Sequence, residues 1–192
     1  MRGARAVLAG SFALGLLADA AAAHARPARE IDGWTIAASS DGKGCFLTRV
    51  FDRPGATTLL LGLDADGSNH LSVLNANWSI KPKDKLKLSF RLSNGSYADH
   101  FAVGIGTDGQ QGFVTSFEAK FPGYFAASNY LHITRGKVPV ERLDLTGSGA
   151  AVKELRSCVA RRSAAGSGPA KASNDDIPRD PFAGNAAKKR KK

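Results

Sequence analysis

Cysteine is nearly absent from this 192-residue chain: there are two, beside one methionine and two tryptophans. Two cysteines cannot build a zinc ribbon or a disulfide-dense miniprotein, and without a C-x-x-C pair they form no dithiol redox motif. Acidic residues are also scarce, 17 against 27 Lys and Arg, which leaves a net charge of +10. Beyond the N-terminus no apolar run reaches the length of a membrane-spanning helix. The chain has no H-E-x-x-H, no G-x-S-x-G and no Asp-Thr-Gly or Asp-Ser-Gly, so the common zinc-protease, serine-hydrolase and aspartic-protease signatures are missing. What remains is a chain with 43% hydrophobic residues, enough for one packed core.

Arg2 and Arg5 precede an apolar stretch over residues 6–17, followed by small residues ending Ala23-His24-Ala25. That order is a secretory signal peptide with an A-x-A cleavage site, and the apolar part is too short to span a bilayer. Residues 1–25 are therefore expected to be removed. Cleavage takes away two arginines and one aspartate, lowering the net charge from +10 to +9. Export places the mature chain in the periplasm or outside the cell, without ATP or nicotinamide pools, and no cofactor is expected.

At the other end, residues 164–192 consist of small residues, proline, asparagine and charge, with Ile177 and Phe182 as their only large apolar side chains. Such a segment buries too little to offset its ordering entropy and reads as a disordered tail. Residues 26–163 form the single domain.

Within that domain, short apolar-alternating runs are separated by Gly, Asn and Asp turns. Strands are expected over 34–39, 45–52, 57–64, 71–80, 84–93, 101–106, 112–116, 131–135 and 138–145. The clearest has Leu86, Leu88, Phe90 and Leu92 on one face and Lys85, Lys87, Ser89 and Arg91 on the other, and ends in the hairpin signal Asn94-Gly95. Residues 118–127 read as a short helix broken at Pro122-Gly123. Ser148 reads as the N-cap of an amphipathic helix over 149–162, with Ala151, Val152, Leu155, Cys158 and Val159 on one face. The expected fold is an antiparallel β-sandwich of seven to nine strands with one C-terminal helix. Cys45 on an early strand and Cys158 on the helix are the expected disulfide, because two cysteines in an exported protein usually pair.

Several patterns imitate chemistry. Residues 104–109 fit G-x-G-x-x-G but lead into another strand-like run rather than a helix, so no dinucleotide site is expected. Residues 40–43 fit S-x-x-K but lie in a glycine-flanked turn without partner motifs. Asp64, Asp66 and Ser68 begin like a calcium loop, but Asn69 and Asn75 occupy the positions that need Gly and Glu. His70, His100 and His132 are scattered, and no metal site is expected. A hydrolase site assembled from residues distant in sequence stays open as an alternative, with no catalytic residue singled out.

The basic residues suggest contacts rather than chemistry. Lys81, Lys83, Lys85 and Lys87 alternate, and Lys188, Lys189, Arg190, Lys191 and Lys192 close the chain. On a strand the first set lies along one face, either as a solvated face protecting an edge or as a stripe for an anionic partner. The terminal run suits salt-sensitive binding to anionic lipid or wall polymers rather than a specific nucleic acid.

The run Leu143-Asp144-Leu145-Thr146-Gly147-Ser148, followed by Ala151, Leu155 and Cys158, resembles the invasion-associated locus B family and the periplasmic accessory proteins of type VI secretion. Trp34, Cys45 and Asn75-Ala76-Asn77-Trp78 fit the same order. The resemblance implies an all-β envelope protein with no established enzyme activity and carries over no catalytic residue. Together these readings describe a non-catalytic, exported interaction module, whose partner is an anionic envelope surface or another envelope protein.

Overall fold

A computed structural model describes residues 28–166. The expected signal peptide, Lys188–Lys192 and nearly all of the expected tail lie outside the described residues.

Ten antiparallel strands make one continuous sheet, and a C-terminal helix packs on it. The strands are β1 (Arg29–Ile31), β2 (Trp34–Ala38), β3 (Gly44–Phe51), β4 (Thr57–Asp64), β5 (Asn69–Asn75), β6 (Lys85–Leu92), β7 (Gly95–Thr107), β8 (Gln110–Ser116), β9 (Tyr130–Arg135) and β10 (Val138–Asp144). Their order in the sheet is β1-β2-β3-β4-β5-β8-β7-β6-β9-β10. The chain thus runs as a meander through β5, then jumps to β6 and fills back toward β5 with β7 and β8. Helix α1 (Phe121–Ala126) precedes β9, and α2 (Ser148–Gly166) follows β10.

The all-β class and the C-terminal helix match expectation; the count of ten exceeds it by one. The added strand, β1, joins β2 through Asp32-Gly33, both with positive φ (49° and 78°). This is the two-residue mirror-image turn whose twist suits a hairpin. Asp108-Gly109 repeats it between β7 and β8, at φ 50° and 77°. The G-x-G-x-x-G run is therefore a hairpin tip. Its first glycine is needed because the Lys81 carbonyl lies where a side chain would begin.

Other departures have local causes. β5 stops at Asn75 rather than Ile80, because the Asn75 side chain turns the chain. Its Nδ2 donates to the Pro54 carbonyl and to Thr57 Oγ1, both at 2.9 Å, and its Oδ1 accepts the Asn77 N–H at 2.8 Å. The hairpin expected at Asn94-Gly95 forms one residue earlier: Leu92 pairs with Gly95, so Ser93-Asn94 is the loop. Pro122 does not break α1 but sits in its first turn, where its missing N–H has no intrahelical partner to lose. Ser148 lies within the first turn of α2, and its hydroxyl donates outward to the Phe125 carbonyl at 3.1 Å, linking the two helices. α2 also runs to Gly166, four residues past the expected end.

Alternation places Cys45 and Leu47 of β3, Leu59 and Leu61 of β4, and Leu71 and Val73 of β5 in the core. Phe90, Phe113, Leu131, Ile133 and Leu143 meet them from the second half of the sheet. Trp34 is fully buried and packs edge-on against Phe51 and Phe125. Ala151, Val152 and Leu155 bury the inner face of α2. One turn further on, Cys158 is joined to Cys45, with Cα atoms 6.2 Å apart.

The edge strands β1 and β10 do not pair with each other. Side chains bridge the gap instead. Trp34 Nε1 donates to the Thr146 carbonyl at 3.0 Å, and Arg49 donates to the same oxygen at 3.2 Å. Arg53 donates to the Glu141 carboxylate at 3.0 Å and to the Arg142 carbonyl at 2.7 Å, and Thr57 Oγ1 donates to Glu141 at 2.6 Å.

Two substitutions test this arrangement. Changing both cysteines to serine reopens a 113-residue loop and should cost about 4–5 kcal/mol in the chain-entropy account, read as a lower urea midpoint. Glu141→Ala strands the Thr57 hydroxyl and the Arg53 guanidinium. Because Arg53 is half exposed, the expected cost is about 1–2 kcal/mol; an unchanged midpoint would show that the bridge carries no stability.

Candidate interaction surface

The lysines fall into two groups. Lys85 and Lys87 lie on the exposed face of β6, opposite the buried Leu86 and Leu88. Lys83 is in the preceding turn, with φ 74°, so it does not share their strand. No ion-pair partner faces Lys81, Lys83, Lys85 or Lys87 among the described residues. β6 is not a sheet edge, since it pairs with β7 on one side and β9 on the other. Its two ladders differ in length, however. The ladder to β7 runs from Lys85 to Leu92, whereas the ladder to β9 covers only Ser89, Phe90 and Arg91. The β9–β10 hairpin peels away beyond Thr134, leaving Lys85–Leu88 without a ladder partner on that flank.

A cleft of about 320 Å³ occupies this gap. Its apolar walls include Leu86 and Leu88 of β6, Ile80 of the β5–β6 loop and Val140 of β10. Trp78 stacks on Phe113, with ring centroids 6.1 Å apart and planes within 7°. Val138, 64% exposed, stands at the mouth. Arg135 lines the rim and Lys137 lies in the adjoining turn; neither has an ion-pair partner among the described residues. The nearby Asp84 carboxylate accepts the Lys81 backbone N–H at 2.9 Å. Sequence reasoning missed this site because its walls come from strands and loops distant in the chain. The sequence pattern placed Trp78 on a strand over 71–80, whereas it lies in the loop after Asn75.

The histidines divide differently. His70 Nδ1 lies 2.8 Å from Ser116 Oγ, and its Nε2 lies 3.5 Å from Asp64 Oδ2. His100 Nε2 donates to the Ser116 carbonyl at 2.9 Å. Two histidines, a serine and a carboxylate thus converge, as an assembled hydrolase site would require. They do so on an open face: His70 and Ser116 are exposed. The carboxylate stands beyond hydrogen-bond range of the imidazole, so it does not fix the tautomer or orientation of a base. The arrangement is a polar surface network. His132 lies apart on β9, where burial and then Arg91 and Arg142 hold its pKa below the usual histidine value.

His100 belongs instead to an aromatic stack with Phe117 and Phe121. Tyr97 joins this stack. Its phenol is pushed up to about 12 by burial and by Glu118, which suits a packing role.

The loop that begins like a calcium site is a β4–β5 turn closed by Ser68. Its hydroxyl donates to Asp66 at 2.7 Å, and its N–H donates to the same carboxylate oxygen at 2.8 Å. These contacts hold the Asp66 pKa low. A wider cavity of about 650 Å³ lies beside this turn, lined by Lys43, Asp64, Asp66 and Arg162. Its mixed charges favour no single ligand chemistry.

No protein family matches the sequence, and no curated protein does. A solved structure resembles it: invasion associated protein b from Bartonella henselae, at a TM-score of 0.52 and 14% identity, covering 68% of this chain and 96% of that one. The likeness is one of fold. It spans nearly all of the other protein and about two thirds of this chain.

The surface network should not act as a nucleophile. A fluorophosphonate probe is expected to leave the protein unlabelled. Labelling that disappears in Ser116→Ala and in His70→Ala would contradict this reading.

Proposed function

We propose that the chain is an exported, non-catalytic interaction module of the cell envelope, related to the invasion-associated locus B proteins. The observation that carries the reading is the apolar cleft beside β6, bordered by cations that have no partner among the described residues. Such a site offers binding area and charge selectivity and no group placed to transfer a proton or attack a substrate. An internal disulfide suits an oxidising compartment, and the signal-like N-terminus gives a route there. No described helix is long and apolar enough to cross a membrane. The fold likeness to an invasion associated protein agrees with an envelope role. The L-x-L-x-G strand end running into a cysteine-bearing helix supports the kinship.

A second reading assigns contact to the basic tail, on the strength of Lys188–Lys192. The two readings separate cleanly by experiment. Protein from the envelope fraction should begin near Arg26; an intact Met1 on cytoplasmic protein would contradict export. Co-sedimentation with anionic vesicles should depend on residues 164–192 and fade between 0.1 and 1 M salt, as the screening length falls from about 10 to 3 Å. Binding of a protein partner through the cleft should survive that truncation.

A further inference from the structure

We propose that the open flank of β6 accepts an extended segment of a partner protein as an added strand, and that this segment alternates acidic and apolar residues. The inference rests on the interaction-module reading and names its partner. Three independent observations converge on it.

The first is backbone geometry. Lys85–Leu88 has a ladder partner on the β7 side only, because pairing with β9 ends at Ser89. Alternate N–H and C=O groups of a strand point to opposite flanks, so this stretch presents donors and acceptors toward the cleft. An incoming strand can use them as it would a sheet edge.

The second is the cleft itself. Side chains of an added strand alternate between the two faces of the sheet. Those level with Leu86 and Leu88 enter the apolar space bounded by Trp78, Ile80 and Val140. At about 320 Å³ it holds a few aliphatic side chains rather than a bulky ligand.

The third is charge. Residues level with Lys85 and Lys87 fall on the opposite, solvent-facing side, where a carboxylate directly across from each lysine is favourable and a cation is not. Arg135 and Lys137 extend the positive border toward the hairpin, so that with Lys81, Lys83, Lys85 and Lys87 the cations outnumber the nearby Asp84 carboxylate, which accepts the Lys81 N–H. Register and pattern are therefore linked: acidic outward, aliphatic inward.

The test uses the full mature chain and a fluorophore-labelled, end-blocked octapeptide of alternating Glu and Val, with binding read by anisotropy. Three probes accompany it: the same peptide N-methylated on alternate amides, a Lys-Val counterpart, and dodecanoate. The unmodified Glu-Val peptide is expected to bind. N-methylation should weaken it at least about tenfold, since methylated amides cannot join the ladder. Lys85→Glu with Lys87→Glu, both at exposed positions, should weaken it about as much and should improve binding of the Lys-Val peptide. Val138→Asp, at the exposed mouth, should weaken binding without altering the fold.

Equal binding of the N-methylated peptide would overturn strand addition. So would binding of dodecanoate, reported by Trp78 emission, without binding of any peptide; the cleft would then be an acyl-chain site. An envelope partner that binds Lys85→Glu/Lys87→Glu protein undiminished would overturn the β6 assignment while leaving the interaction-module reading intact. Recovery of the protein only from the cytoplasm would instead remove the envelope reading itself.

Discussion

A single sheet can enclose a core only by folding over on itself, and in this protein the two edge strands never meet. β1 and β10 lie at opposite ends of a ten-strand order, so no backbone ladder closes the structure. Closure depends on side chains: Trp34 and Arg49 on the Thr146 carbonyl, Arg53 and Thr57 on Glu141, and α2 strapped over β2 and β3 by the Cys45–Cys158 disulfide. Each polar bridge is directional and modest. The disulfide acts differently, by restricting the unfolded chain, and it holds the helix whose Ala151, Val152 and Leu155 complete the core.

A second opening lies beside β6. Arg53 of the β3–β4 loop holds Glu141 and Arg142 of β10, while the tip of the β9–β10 hairpin does not pair with β6. β9 keeps three residues of pairing with β6 and the rest of the flank stands open. Apolar residues that would otherwise be sealed beneath a continuing ladder become the walls of a cleft, while the lysines on the outer face keep their positions on an intact strand. The cleft on which the proposed binding rests arises where the β6–β9 ladder stops short. The constellation around Ser116 sits on the exposed face at the very end of β8, where Ser116 pairs with His70 of β5 and has no partner on β7.

Much of the fold was legible in the sequence because it depends on local pattern. Alternation in residues 85–92 located β6 and its buried leucines, the spacing of Ala151, Leu155 and Cys158 located the inner face of α2, and the two cysteines joined as expected. The misreadings also have physical causes. β1 is three residues long and carries too little periodicity to be read as a strand. The end of β5 is set by Asn75 reaching Pro54 and Thr57, contacts that neighbouring sequence does not reveal. The cleft was illegible for the same reason, since it depends on where one ladder ends relative to another. His70, Ser116 and His100 converge through strand register, which the spacing of three isolated histidines could not disclose.

Amide hydrogen exchange along β6 tests the central claim most directly. Ser89–Leu92 should exchange slowly throughout. Within Lys85–Leu88, the alternate amides that face away from β7 should exchange orders of magnitude faster than those facing it, because they have no ladder partner. Uniform protection of all four amides would mean that the flank is already filled, and would contradict both the open strand and the function built on it.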